Sequence, residues 1–355
     1  MIDSLSPMLW MPLLAVLSTI LIGVVRQILL HFGIMDIPNA RSNHTQPVAR
    51  GGGIAVMALL IGVGYWVGLP LDIIALALIL TVLCFADDVR GLSARLKLAV
   101  QLLIVFAAWH ALPLPDVARI VEFFGLPSVA GEVNGVPLAS GYVILFGLLF
   151  IPVWVWWVNA SNFLDGIDGI SAVHAMTLGL GVLLVAPYLP DMAPFVPKMA
   201  AALLAVFTGF LLWNWHPAKI FLGDSGSVPV GFITGFLLWK LAASGAIVAA
   251  LLLVSYALLD TTMTLLLRAA RREHLLQAHS AHGYQRAVRR GMRHDQVVLR
   301  IVGLNMLMLV LAYFSLHGGW IALLCLLVGY AAAVGLWLHL GGGWRELCRN
   351  PAATA

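Results

Sequence analysis

Five aspartates in this 355-residue chain stand beside long apolar runs, where a carboxylate is costly to keep. Asp87 and Asp88 close one run in FADDVRGLSARLK (85–97). Asp165 and Asp168 lie in NASNFLDGIDG (159–169), and Asp224 in NWHPAKIFLGDSGS (214–227). An ionisable group at membrane depth costs about 2.5–3.5 kcal/mol on insertion scales, so several on one face imply a use. Carboxylates interspersed with amides and glycines point to a metal–diphosphate site at a membrane surface. Adjacent carboxylates repel, so Asp87 and Asp88 require a cation, either Lys97 or a divalent metal. Asn159, Asn162, Asp165 and Asp168 recur at three-residue steps, which on a helix would line one face. Hard oxygen donors of this kind suit Mg²⁺, which takes few protein ligands beside substrate phosphates. Asp224 stands among glycines, with Asn214 and Phe221 upstream, and Ser225 or Ser227 is the expected cap of the next helix.

Two further loops carry positive charge. DIPNARSNHTQPVARGGG (36–53) holds Arg41, His44 and Arg50, and its prolines and glycines exclude a continuous helix. Such a loop suits a phosphate or nucleotide, with the amides of Gly51–Gly53 close to the ligand. The stretch from Arg268 to His294 is the most basic, and its arginines are expected at anionic lipid headgroups. Inside it, HSAHGYQR places His279, His282 and Arg286 in a compact motif suited to diphosphate or sugar. No third ligand at zinc spacing accompanies the histidine pair.

These loops need a scaffold, and composition supplies one. The chain is 61% hydrophobic and 10% charged, against about 25% charged in a soluble domain. The apolar residues fall in runs of about 17–25, the length of a membrane-crossing helix. Eleven spans are expected: 8–30, 52–68, 71–86, 96–112, 141–158, 168–188, 198–213, 227–243, 246–267, 296–316 and 320–340. The first is read as a retained helix, since a basic leader and a cleavage site are lacking. Of the 20 basic residues, 17 fall on the side of the motif loops and 3 on the other. The positive-inside rule makes the motif side cytoplasmic, with the N-terminus outside and the C-terminus inside. Trp154, Trp156 and Trp157 read as an interfacial aromatic belt. Cys84, Cys325 and Cys348 form no pair pattern. The expected architecture is an all-α polytopic bundle, one domain over 1–355, without a repeat.

In motif order and span count, these residues resemble the polyprenyl-phosphate N-acetylhexosamine-1-phosphate transferases over nearly the whole chain. The histidine motif looks most like the branch that starts O-antigen synthesis; the peptidoglycan phospho-N-acetylmuramoyl-pentapeptide transferase is a more distant relative. The resemblance implies transfer of an amino-sugar 1-phosphate from a UDP-N-acetylamino sugar to undecaprenyl phosphate at a bacterial inner membrane, with Mg²⁺ or Mn²⁺. It implies Asp224 as principal metal ligand and Asn162 as the second. Asp87, supported by Asp88, would face the lipid phosphate, and Lys97 would steer phosphates. Phe221 and Asn214 would meet uracil; Asn159, Asp165 and Asp168 would serve the nucleoside or stand behind it. His279, His282 and Arg286 would serve the diphosphate and sugar, while Arg41, His44 and Arg50 stay candidates for a phosphate or nucleotide. Membrane lipids are expected neighbours and nucleic acid is not; a homodimer is left open. Two departures stand out. An arginine common before the second histidine is absent, since position 280 is Ser280, and Ala49 replaces a usual proline. A secondary transporter would hold its carboxylates near the midplane between repeats, and these lie at helix ends on one face. An inactive scaffold would not need every acidic and amide position.

Overall fold

With no water in a bilayer core, each backbone amide must be satisfied within its own segment, and the apolar runs accordingly form helices. The computed structural model describes residues 7–38, 43–110, 112, 132–133, 136–190, 192–275, 277 and 279–344. The helices are α1 (Pro7–His31), α2 (Gly53–Val67), α3 (Leu71–Arg90), α4 (Ala94–His110), α5 (Leu138–Phe163), α6 (Ile170–Val185) and α7 (Phe195–Asn214). They continue as α8 (Asp224–Leu241), α9 (Ile247–Leu253), α10 (Ser255–Ala270), α11 (Gly283–Arg289), α12 (His294–Phe314) and α13 (Gly319–Gly341).

Every expected span falls on helix, with one difference. The run 246–267 is broken at Val254 into α9 and α10, and α9 continues α8 through one wide π turn, Ala242–Ala246. Among the described residues, seven segments are long and apolar enough to cross a membrane, one of them Asp224–Leu253 as a single 30-residue span. α2 and α4 are shorter, and α3 carries Asp72, Asp87, Asp88 and Arg90 near its ends.

α7 and α8 form the centre. α1, α2 and α6 pack on α7, while α2, α3 and α5 pack on α8. Both are buried on nearly all sides, as in the middle of a bundle. The expected tryptophan belt is corrected here. Trp154 and Trp157 are buried and donate to the Phe232 carbonyl (3.2 Å) and Thr234 Oγ1 (3.0 Å); Trp156 donates to Thr262 Oγ1 (3.0 Å). Their indoles tie α5 to α8 and α10. Cys84 and Cys325 are buried free thiols, and Cys348 lies outside the described residues. The long loop expected at 113–140 is described only at its end, where β3 (Glu132–Val133) and β4 (Val136–Pro137) pair before α5.

Candidate active site

Three short strands bring distant loops together. β1 (Met35–Asp36) pairs antiparallel with β2 (Val48–Arg50), and β2 pairs parallel with β5 (Ile220–Phe221), with Arg50 opposite Phe221. The amides of Gly51 and Gly52 donate to the Phe221 carbonyl (3.3 and 2.9 Å), and Gly53 to Leu222 (2.8 Å). These amides build the site and are not offered to a ligand, which corrects the expectation for the glycine run. The starts of α2 and α8 touch: a Cβ on Gly53 would lie 2.1 Å from the Gly226 nitrogen. Glycine at these two positions is what lets FLGD reach Arg50.

α8 is not capped by Ser225 or Ser227. Asp88, 136 residues away in sequence, accepts the amides of Asp224 (Oδ1, 3.0 Å) and Ser225 (Oδ2, 3.0 Å). A carboxylate at a helix N-terminus meets both its open amides and its dipole. Gly223, with φ 74°, leaves room for it, since a Cβ there would lie 2.7 Å from Asp88 Oδ2. The Ser227 hydroxyl instead faces the Gly223 carbonyl (3.1 Å) and Asn162 Oδ1 (2.8 Å).

From this cap runs an alternating chain of charges. Arg50 Nε meets Asp88 Oδ1 at 2.9 Å, and Arg50 Nη2 meets Asp224 Oδ1 at 3.2 Å. Lys97 Nζ meets the other Asp224 oxygen at 3.0 Å and Asp87 Oδ2 at 2.8 Å. The Leu92 amide donates to the free oxygen of Asp87. Lys97, in the first turn of α4, thus balances the aspartate pair. Burial opposes the charge on Arg50, but Asp88, Asp224 and Asp36 outweigh it and hold the guanidinium ionised.

Above this chain opens a polar cavity of about 310 Å³. Of the expected residues it is lined by His44, Arg50, Asn162, Asp165, Asp168, Asn214, Phe221, Asp224 and His279. The His44 and Phe221 rings meet edge to face at 5.0 Å and form one wall. Burial raises Asp165 to about 6 despite the Ser171 hydroxyl at 2.6 Å. Asn214 has its amide engaged by the Gly169 N–H and the Ile220 carbonyl, both at 2.9 Å, so it holds the wall together.

Asp168 ties three loops. Its Oδ2 accepts from His216 Nδ1 (2.6 Å) and the Ala218 amide (3.1 Å). His294 Nε2 lies 3.0 Å from the Asn43 carbonyl, and its Nδ1 lies 3.2 Å from both the Asp168 amide and Oδ2. Burial opposes ionisation of Asp168, but His294, His216 and the Ala218 amide hold it below the usual carboxylate range. Oδ2 of Asp168 and the ring nitrogens of His216 and His294 lie within 4.8 Å of one another. Each has a hydrogen-bond partner within the protein. The oxygen donors Asp224 and Asn162 share the cavity wall, Asn162 Oδ1 accepting from the Ser227 hydroxyl in the first turn of α8, and their hardness fits Mg²⁺.

Other expected residues lie elsewhere. α5 ends at Phe163, so the three-residue polar face stops after Asn162, and Asp165 and Asp168 stand on a non-helical loop. Glycines at 166 and 169 end the helical repeat. Asn159 turns away to Gln101 Oε1 (2.7 Å) and the Val155 carbonyl (2.8 Å). Asp87, Asp88 and Lys97 stand behind Asp224, outside the cavity lining. His282 is buried beneath His279, and Arg286 donates to the Ala281 carbonyl (3.0 Å). Arg41 lies outside the described residues. The arginines expected at lipid are held by protein: Arg289 by Ser280, Arg290 by the Leu340 and His339 carbonyls, Arg293 by Asp295. Sequence reasoning missed Asp36, Asn43, Gln285 and His294 in the lining. It also missed Asp260, whose signal was a carboxylate in the middle of YALLDTTMTLLL.

Residues 71–242, which include the aspartate pair, the NASNFLDGIDG loop and FLGD, match the family model described as glycosyl transferase family 4. Over that stretch the chain is similar to glycosyl transferase family 4. The chain is 28% identical over 300 residues to a probable undecaprenyl-phosphate N-acetylglucosaminyl 1-phosphate transferase of Bacillus subtilis, covering 80% of this chain and 78% of that protein. It is 28% identical over 330 residues to the decaprenyl-phosphate N-acetylglucosaminephosphotransferase of Mycolicibacterium smegmatis, covering 81% and 76%. It is 32% identical over 200 residues to a phospho-N-acetylmuramoyl-pentapeptide-transferase of Wolbachia, covering 52% and 57%.

Proposed function

We propose that this chain is a membrane-embedded enzyme of glycosyl transferase family 4 that transfers an N-acetylated amino-sugar 1-phosphate from a UDP-sugar to undecaprenyl phosphate. An oxygen of the lipid phosphate attacks the sugar-bearing phosphorus, the bond to the bridging oxygen breaks, and UMP leaves. The observation that carries the reading is the alternation Asp88–Arg50–Asp224–Lys97–Asp87 beneath a polar cavity with an aromatic wall. Such chemistry needs positioning and charge stabilisation more than covalent help.

Arg50 and Lys97 bring positive charge to the phosphates, Arg50 held by Asp88, Asp224 and Asp36 and Lys97 by Asp224 and Asp87. Asp224 and Asn162 would hold Mg²⁺, which when bound neutralises the diphosphate. Phe221 and His44 would take the uracil ring against their aromatic wall. A phosphate monoester is mostly a dianion at neutral pH, its second pKa being about 6. Asp87 therefore serves to orient the acceptor through Lys97 rather than to remove a proton. The acceptor's chain would take the apolar groove between α5, α8 and α9, walled by Trp154, Trp239 and Val254. In this reading the chain is one domain with eleven crossings, its N-terminus outside and its C-terminus and cavity facing the cytoplasm of a bacterial inner membrane. Its product would start O-antigen or a related surface polysaccharide.

Membranes carrying the enzyme, given undecaprenyl phosphate, Mg²⁺ and radiolabelled UDP-sugars one at a time, should form lipid-linked product with a UDP-N-acetylhexosamine or a 6-deoxy analogue. The Wolbachia relative makes UDP-N-acetylmuramoyl-pentapeptide the necessary comparison donor. Product from that donor alone would move the assignment to peptidoglycan synthesis, and product from none would remove it.

A further inference from the structure

Asp260 sits in α10 with 1% of its surface exposed, and the phosphoryl transfer described above makes no use of it. Both its oxygens are taken by the last loop. Oδ2 lies 2.8 Å from His282 Nδ1, and Oδ1 accepts the Gly283 amide at 2.7 Å. Gly283 permits this approach, since a Cβ there would lie 2.9 Å from Oδ1. His282 is itself 2% exposed and does not reach the cavity. Its ring stacks on His279 at 4.9 Å with 30° between planes, and His279 does line the cavity. The His279 Nδ1 accepts the Ala281 amide at 3.3 Å, which leaves Nε2 as the ring's proton donor. α10 also anchors the loop's beginning: Arg268 Nε meets Glu273 Oε2 at 2.8 Å, and its Nη2 donates to the His274 carbonyl at 2.8 Å.

We propose that Asp260 is a positioning residue for the donor sugar nucleotide, acting through the His282 ring to hold His279 as a neutral Nε2–H donor on the cavity wall. A carboxylate is required because two donors must be met by two acceptor oxygens; an amide offers one oxygen and turns an N–H toward the other donor. A carboxylate that orients a histidine in this way is worth about 10- to 100-fold where it has been removed from metal-site histidines. Burial, with the nearby His282 and Arg268, lowers His279 to about 3, in keeping with a neutral donor. The ligand feature recognised is then a hydrogen-bond acceptor, such as a sugar hydroxyl, acetamido carbonyl or bridging oxygen, and not a site needing a second cation.

The proposal rests on the transferase reading, and the test separates the two. Purified full-length enzyme is assayed with its UDP-sugar and undecaprenyl phosphate, varying each in turn. Asp260→Asn should raise KM for the UDP-sugar about tenfold and leave KM for undecaprenyl phosphate unchanged. Asp260→Glu, which restores two acceptors, should recover part of the loss. In combination with His279→Ala, Asp260→Asn should add nothing, because its effect passes through His279. If Asp260→Asn does not fold, His282→Asn replaces it: an amide can still donate to Asp260, but the ring under His279 is gone, and the same donor-specific KM change is expected. Losses that multiply in the double variant, equal shifts in both KM values, or a wild-type donor KM in a folded Asp260→Asn or His282→Asn each overturn the proposal. Absence of transfer by the wild type overturns the transferase reading instead.

Discussion

The floor and the rim of the cavity hold comparable numbers of ionisable groups in opposite ways. On the floor, Arg50 and Lys97 each bridge carboxylates, and both keep about a third of their side-chain surface exposed, 33% and 30%. In the proposed reading these partly exposed cations turn part of their charge toward an incoming phosphate. On the rim, Asp168, His216, His294, Asp260 and His282 are tied into networks with each oxygen and ring nitrogen cited above already partnered. Satisfied polar networks are rigid and expensive to break. In the proposed reading the contrast separates groups that do chemistry from groups that hold its walls in place.

The largest expected effect comes from the middle of the floor. Asp224 is the one carboxylate shared by both cations, and in the proposed reading it also faces Mg²⁺. Asp224→Asn should lower kcat more than about a thousandfold at any Mg²⁺ concentration. Asn162→Ala should raise the Mg²⁺ concentration for half-maximal rate. Near wild-type turnover in Asp224→Asn would show the floor to be structural, and the contrast would collapse.

The aspartate pair offers a finer division, since its members lie on opposite sides of that contrast. Asp87 is bound to the exchangeable Lys97, whereas Asp88 caps α8 with no side-chain exposure. Asp87→Asn should reduce kcat by about a hundredfold with little change in thermal stability. Asp88→Asn should lose less activity but about 1–2 kcal/mol of stability, the range for a lost helix cap. Thermal melts in detergent beside initial rates read both. The reverse pattern would exchange the two roles.

Much of this was legible beforehand because the motif loops carry their own chemistry. Asp87, Asp224 and Asn162 announce themselves by residue type at the edge of apolar runs, and helix positions followed from hydropathy. What escaped was whatever depends on chain segments meeting. Strands of two or three residues have no readable period, so the Arg50–Phe221 register was invisible. A cap supplied from 136 residues away could not compete, on sequence alone, with Ser225 next door. His216 and His294 look like solvated loop histidines until Asp168 lies between them. The tryptophans of α5 read as a belt because an indole N–H suits an interface, and only the structure shows Thr234 and Thr262 as their partners.

On the rim, Asp168→Asn should destabilise the protein by about 2 kcal/mol at neutral pH, as for hydrogen bonds to a charged group. The sign of the pH dependence follows from the lowered pKa. The stabilisation is fully present above the ordinary carboxylate value of about 3.9 and is lost as pH falls through the lower folded value. The gap between wild type and variant should therefore be constant down to about pH 5 and close below about pH 4. Metal-free melts across that window check it. A gap that closed between pH 6 and 7 would place the linkage on a histidine instead.

The smallest effect is expected outside both regions, and it tests whether charge near the site matters when it is not part of the floor. Arg290 caps the C-terminus of α11 and donates to the Leu340 and His339 carbonyls at the close of α13. A cation there meets unsatisfied carbonyls and the negative end of a helix, an arrangement worth about 0.3–1 kcal/mol. Its work is thus to fasten the short helix after the histidine motif onto the last span. Arg290→Ala should lower the melting temperature slightly and leave transfer unchanged, both in membranes rich in anionic lipid and in membranes lacking it. A loss of activity confined to anionic membranes would mean that Arg290 leaves α13 to meet headgroups. The rim would then extend to the lipid surface, and its rigidity would depend on the membrane around it.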